Sequence, residues 1–348
     1  MDVLRLLRLV VRCAPASATL LGCVPELDEA PQGIVRETRV LAVSASPAEV
    51  SPGETVRLQA LVAPEGAVDW SYCSARRSLT EQGPVDEGCV RGRDLEPWGS
   101  GNSIVATVPS DVCSKFGPIG PPTSNGEAAG RPVDPDPTGG YYAPLLLDTE
   151  GELSLFGLRI RCGLVGVTQA QAATFNLGYL TNESPRIHSL SLRVAGRELP
   201  FDEDLIEIEP SALVEIRVGW AQCPAEGSCG DDVCTFGEDA VGCPADCSGG
   251  ARGCTGAEAY LHYDVATQSL EQRVERLRVA WYATAGRFEH ATSGALGEDP
   301  ATTNSWHAPS VPTKETLWIV LQDDRGGATW RQLEVRVGSE WEATKLRE

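Results

Sequence analysis

Twelve cysteines are the residues of this 348-residue chain whose type and spacing could do chemistry. Cys223, Cys229, Cys234, Cys243, Cys247 and Cys254 crowd one stretch, Cys73, Cys89, Cys113 and Cys162 are spread through the first half, and Cys13 and Cys23 stand near the start. In a reducing compartment such groups hold zinc as thiolates. In an oxidising one they pair as disulfides. Between the crowded cysteines lie Asp231, Asp232, Glu238, Asp239 and Asp246. Calcium takes several oxygens in flexible geometry, so a loop stapled by disulfides could gather these carboxylates around one ion, although their spacing is not that of an EF-hand. No other cofactor is implied.

Aromatic side chains offer a second chemistry. Six of the eight tryptophans lie from residue 220 onward. Trp281 and Trp318 alternate with apolar neighbours and read as core. Trp306 sits in the polar run Asn304-Ser305-Trp306-His307 and is the candidate for an exposed ring that stacks on a sugar. Catalytic signatures are missing. There is no GxSxG, HExxH, P-loop or GxGxxG, and His188, His262, His290 and His307 are scattered rather than paired. Any two of 49 acidic residues could serve a glycoside hydrolase in principle, and nothing selects two. The expectation is a non-catalytic structural or interaction protein. A carbohydrate-binding surface module using exposed Trp, or an envelope hydrolase with acidic catalytic residues, are the alternatives.

The formal net charge of −20 excludes phosphate backbones as natural partners, so no nucleic acid is expected. It also repels anionic headgroups, so membrane attachment must come from something other than a basic patch. Residues 1–22 supply the means. Arg5, Arg8 and Arg12 precede and flank a short apolar stretch that ends in small residues, the order of a secretory signal. The leader ends Leu20-Leu21-Gly22-Cys23, which resembles the bacterial lipobox. That resemblance implies a diacylglycerol on the Cys23 thiol and cleavage before it. Each buried methylene contributes about 0.8 kcal/mol, so two or three chains anchor stably. Val24 follows, and by resemblance to enterobacterial sorting a residue other than Asp there directs the protein to the outer membrane. The expected location is the cell envelope, lipid-anchored, with an envelope protein or polysaccharide as partner. In that compartment the ten cysteines after Cys23 are disulfide candidates, with pairings that the spacing leaves open.

The elements that must position these residues read as β. After an acidic, Pro-containing tether (23–36), strands are expected at 38–45, 55–62 and 68–73. Val56, Leu58, Ala60 and Val62 lie on one face of the second, and Trp70 is in the core. A Gly/Pro-rich loop fills 117–140, strands resume at 141–147 and 152–162, and 165–175 is a short helix or strand. Asn182-Glu183-Ser184-Pro185 reads as a linker. Strands follow at 187–194 and 212–220, then a single long strand at 273–282, and a closing hairpin at 315–322 and 329–337 turns at Asp323-Asp324-Arg325-Gly326-Gly327.

Three resemblances sharpen this. Pro47-Ala48-Glu49-Val50-Ser51-Pro52-Gly53-Glu54-Thr55-Val56, followed by Trp70, is similar to the opening of bacterial immunoglobulin-like domains. The closing hairpin is similar to that of PKD-like domains. Cys229-Gly230-Asp231-Asp232-Val233-Cys234 through Cys243-Pro244-Ala245-Asp246-Cys247 resembles the C-G-D-G-x-C…C-P-x-D-C module of secreted, often myxobacterial, proteins, with Asp232 where Gly is usual. Taken whole, the chain resembles myxobacterial-type surface lipoproteins. The fold class expected is all-β: two immunoglobulin-like β-sandwich domains in tandem (37–182 and 183–340), a disulfide-rich loop (223–254) inserted in the second, and a tail at 341–348.

Overall fold

The structure is a computed structural model. It describes residues 33–76, 85–117, 138–149, 151–164, 166–199, 206–223, 253–294 and 299–338, together with Cys229, Gly230, Cys234, Glu238 and 241–247. The leader, Cys23, the first part of the expected tether, residues 118–137 of the Gly/Pro-rich loop, and the tail all lie outside the described residues.

The first sandwich contains β1 (Arg39–Ser46), β2 (Glu49–Val50), β3 (Thr55–Ala63), β4 (Asp69–Cys73), β5 (Leu95–Ser100), β6 (Ser103–Thr107), β7 (Gly140–Thr149) and β8 (Glu152–Arg161). One sheet has the order β1-β3-β6 and the other β2-β8-β7-β4-β5. The second sandwich contains β9 (Ile187–Val194), β10 (Arg197–Leu199), β11 (Ile206–Ile208) and β12 (Leu213–Trp220). After the cysteine-rich insertion come β13 (Ala259–Asp264), β14 (Ser269–Val274), β15 (Arg278–Ala283), β16 (Arg287–Phe288), β17 (Thr292–Gly294), β18 (Ala301–His307), β19 (Thr313–Gln322) and β20 (Ala328–Val337). Its sheets run β10-β9-β12-β18-β16 and β11-β20-β19-β15-β17, while β13 and β14 form a hairpin apart from both. In each sandwich a short early strand runs parallel to the last one, β2 beside β8 and β11 beside β20, and the other pairs are antiparallel. The fold is all-β, with two immunoglobulin-like sandwiches.

Alternation builds the cores. Val56, Leu58, Ala60 and Val62 of β3 point inward, with Val43, Trp70, Leu145, Leu147 and Ile160 around them. In the second sandwich Val214, Ile216, Val218, Leu277, Val279, Trp281, Leu317, Ile319 and Leu321 play the same part. Two strands break strict alternation. Leu61 and Ala63 on β3, and Trp318 and Val320 on β19, are also buried although they face away from their own cores. They meet each other: Val35, Leu41, Ala42, Leu61 and Ala63 of the first sandwich pack on Ala280, Trp318 and Val320 of the second, flanked by Tyr282 and Trp330. A strand covered on both faces reads as a continuous apolar run, and Leu317-Trp318-Ile319-Val320-Leu321 is such a run.

Two expectations are corrected and one open alternative is settled. The end of the tether is not free chain: Val35 N–H donates to Ala283 O at 2.9 Å, Ala283 N–H donates to Gly33 O at 2.9 Å, and Val35 is buried. Residues 33–35 therefore strap onto the edge of β15 in the second sandwich before the chain builds the first. The segment 165–175 resolves to a helix, Gln169–Leu177, begun by a capping box between Thr168 and Gln171. The single strand expected at 273–282 is two, β14 and β15, because Glu275 turns inward between them.

Candidate functional site

Five disulfides join the ten described cysteines: Cys73–Cys89, Cys113–Cys162, Cys223–Cys254, Cys229–Cys243 and Cys234–Cys247. Their Cα separations of 4.9 to 5.7 Å suit a disulfide. Cys223–Cys254 closes the neck of the insertion, and the two bridges inside it interleave. With every described sulfur bonded to another, no thiolate remains to hold zinc. Of the acidic residues read as calcium ligands, Asp231, Asp232 and Asp239 lie outside the described residues. Asp246 stands beside Cys229–Cys243 and Glu238 beside Cys234–Cys247, so these two carboxyls sit at different bridges. Asp246 Oδ2 accepts the Gly230 N–H at 2.6 Å.

Trp306 is not exposed. It is fully buried in the second core, and its indole N–H donates to Ala285 O at 3.1 Å. The polar run misled because Asn304, two residues earlier on the same face of β18, also points inward. Its Nδ2 donates to His290 O at 2.8 Å and its Oδ1 accepts the His290 N–H at 3.3 Å. A polar residue in a strand reads as surface unless its backbone partner is known. Trp220, Trp281 and Trp318 are buried as well.

The strongest concentration of chemistry-bearing groups lies elsewhere, at the joint between the sandwiches. Two buried arginines anchor it. Arg159, on β8, donates through Nε to Glu49 Oε2 at 3.1 Å and through Nη2 to Thr138 Oγ1 at 2.9 Å. Glu49 also accepts from the Tyr179 hydroxyl and from the Asn182 N–H. Gly140 makes room for this guanidinium: a Cβ there would come within 2.1 Å of Arg159 Cζ.

Arg325, in the β19–β20 turn, is the second. Its Nε donates to Glu275 Oε1 at 2.6 Å, its Nη2 donates to Glu258 Oε1, and its guanidinium lies over the Tyr260 ring. The turn aims it inward. Asp323 Oδ1 accepts the N–H groups of Arg325 at 2.9 Å and Gly327 at 2.7 Å, an Asx-type turn that curls residues 323–327 over one carboxylate. Gly326 has φ +101°, and a Cβ at Gly327 would meet Asp323 Oδ2 at 2.1 Å. Glu258 and Glu275 face each other at the base of the β13–β14 hairpin, where Glu275 N–H donates to Glu258 O at 2.9 Å. Two links tie the centres. Tyr142 Oη donates to Arg325 O and accepts from Arg159 Nη1, each at 3.4 Å, and Asn182 donates its N–H to Glu49 and its Nδ2 to Asp323.

Burial governs the electrostatics. Glu258 is 2% exposed, Glu275 4%, Asp323 7% and Arg325 2%. Desolvation pushes the Glu258 carboxyl up to about 9 and that of Glu275 up to about 7, against the pull of Arg325. Burial raises Asp323 too. Desolvation works against the charge on Arg325, yet Glu275 and Glu258 outweigh it and hold the guanidinium firmly protonated. The asymmetry follows from one cation shared by two paired carboxyls, with Asp323 buried close by. Burial likewise raises the Tyr179 phenol. None of these carboxyls is open to a substrate, so their raised affinity for protons speaks for the joint and not for acid–base catalysis.

The residues of this joint were not singled out by the sequence except as parts of turns. Glu49 lay in the turn resembling immunoglobulin-like openings and Arg325 in the closing hairpin. An arginine inside a D-D-R-G-G turn, where solvent exposure is the rule, was the one available signal.

No family model matches the chain, and no curated protein sequence does. Among solved structures it is similar to the D0-D1 domain of intimin, at 10% identity over 86% of this chain and 99% of that one, with a TM-score of 0.19. It is similar to the adhesin InvE of Yersinia pseudotuberculosis at 9% identity over 87% and 59%, TM-score 0.21. It is also similar to a marsupial T cell receptor at 9% identity over 87% and 100%, TM-score 0.23. Likenesses at this level carry no argument about function, and the assignment of two immunoglobulin-like sandwiches rests on the sheets themselves.

Proposed function

We propose that the protein is a lipid-anchored, extracytoplasmic protein of the cell envelope with a structural or interaction role and no catalysis of its own. The observation that carries this reading is the complete pairing of Cys73 through Cys254 into five bridges, with no thiol left over among the described residues. Disulfides in that number form and persist in oxidising compartments. The leader ending at Cys23 supplies the route there, and acylation of Cys23 supplies the attachment that an acidic surface cannot. The partner is another envelope component, protein or polysaccharide. A polysaccharide would have to be held by residues other than Trp306.

Intact mass of the native, membrane-extracted protein tests the reading. The expected mass is that of residues 23–348 plus acyl chains, rising by about 2 Da per bridge on reduction. A mass that includes residues 1–22, carries no acyl chain and does not change on reduction overturns it.

A further inference from the structure

At the base of the β13–β14 hairpin, two carboxyls pair with a single buried cation and a third lies in the turn beside them. Glu258 and Glu275 reach the Arg325 guanidinium from the hairpin, and Asp323, whose Oδ1 accepts the Arg325 backbone N–H, is the third buried carboxyl. The other groups facing this site are the Tyr260 ring on β13, Asn182 from the linker, the Glu183 backbone, whose hydrogen bond to Glu258 favours its charged form, and the Leu180 carbonyl, which accepts from Arg325 Nη1 at 3.4 Å. Across the joint stand Arg159, Glu49, Tyr142 and Tyr179, but Arg159 is already committed to Glu49. At the rim, Arg276 pairs with Asp324 on the solvent side, 3.5 Å apart, and does not enter. The interior is therefore short of positive charge. An uncompensated buried carboxylate is costly enough that the group takes up a proton instead. Glu258 is placed for this: its Oε2 is buried without a hydrogen-bond partner, and the backbone of Gly253 packs against that oxygen so closely that a Cβ there would come within 1.6 Å.

The location gives the proton a consequence. The hairpin, the linker residue Asn182, the β19–β20 turn and, through Tyr142 and Glu49, the end of the first sandwich all meet at Arg325. We propose that this joint is a proton-held latch: a proton on Glu258 keeps the two sandwiches and the hairpin closed on one another, and its loss at alkaline pH loosens the joint while each sandwich stays folded. The sign follows from linkage. A carboxyl that binds its proton more tightly in the closed joint contributes fully to closure below its ordinary pKa, and that contribution is lost progressively as pH rises to the raised one. With Glu258 raised to about 9 and Glu275 to about 7, the loosening begins above the ordinary glutamate range, continues through neutrality and levels off past the raised position of Glu258. The phenols of Tyr179 and Tyr260 are raised by burial and release no proton in that range.

Hydrogen exchange of single amides between pH 6 and 10, corrected for the intrinsic rate, tests the latch. The reporters are the N–H groups of Asn182 and Gly327, bonded to Glu49 and Asp323. Core amides of Ile216 and Val218 on β12 serve as the reference. The expected result is protection at the joint falling by up to about tenfold per pH unit, the limit for one proton per opening, while the β12 amides hold. In Glu258→Gln, which carries the neutral form at every pH, joint protection should be flat above the range in which Glu275 titrates, from about pH 8 upward. No pH-dependent loss in the wild type, the same loss in Glu258→Gln, or equal loss in the β12 amides overturns the proposal. If Glu258→Gln fails to fold, the carboxyl carbon of Glu258 followed by NMR in the wild type decides. A midpoint in the alkaline range supports the latch and one in the ordinary glutamate range overturns it.

Discussion

The two buried arginines make a controlled comparison within one molecule. Each lies in the joint, each is almost fully buried, and each depends on a nearby glycine, Gly140 making room for the Arg159 guanidinium and Gly327 for the Asp323 carboxylate that shapes the Arg325 turn. They differ in stoichiometry. Arg159 faces one carboxylate, Glu49, which further donors satisfy, whereas Arg325 faces two, with the Asp323 carboxyl buried beside them. A balanced buried pair is nearly neutral in energy against well-packed apolar residues, and breaking one exposes the full cost of the orphaned charge. The excess at Arg325 turns the same motif from a static tie into one whose strength depends on protons.

The largest effect expected is that of Arg325→Met. It removes the cation that Glu258 and Glu275 share and should cost about 5 kcal/mol at pH 8 by chemical denaturation. The cost shrinks toward pH 5 as the carboxyls protonate, and calorimetry should resolve separate transitions for the two sandwiches. Arg159→Met leaves Glu49 with donors from Tyr179 and Asn182, so its cost is smaller, about 3 kcal/mol, and changes less with pH over the same interval. Equal costs and equal pH profiles for the two variants would erase the distinction. Next come Gly140→Ala and Gly327→Ala, each placing a methyl on a guanidinium or carboxylate that cannot retreat. Each should cost about 1–3 kcal/mol, read as a loss of Tm. The smallest is Tyr142→Phe, which cuts the hydroxyl between the two centres at about 1 kcal/mol. In a double-mutant cycle it should couple Arg159 to Arg325, and strict additivity would show the centres to be independent.

Much of the scaffold was legible because half-buried strands alternate. The β3 pattern, the Trp70 position and the closing hairpin all follow from side chains that see one core. What was illegible depends on a second surface or on a distant partner. Trp318 reads as core, and it is buried, but against β1 and β3 of the other sandwich. The β13–β14 hairpin was missed because its register ends in two facing glutamates, a pairing that local pattern disfavours and that only Arg325, fifty residues from Glu275, makes tolerable. Trp306 was misplaced because Asn304 finds its partners in the backbone of His290. The joint itself gathers residues 49, 142, 159, 182, 258, 275, 323 and 325, and no window along the chain contains them.

The strap at Gly33–Val35 has a mechanical meaning. The chain touches the second sandwich before it builds the first and returns to it afterwards. Tension applied upstream of Gly33 is therefore not carried through the two sandwiches in series. It is delivered first to the edge of β15, where two backbone hydrogen bonds and the buried Val35 resist it. Once that contact is peeled away, the load shifts to β1 of the first sandwich, and slack between Val35 and Arg39 is released before any sheet is sheared. A pull on the chain would thus meet this short contact before it reached either core.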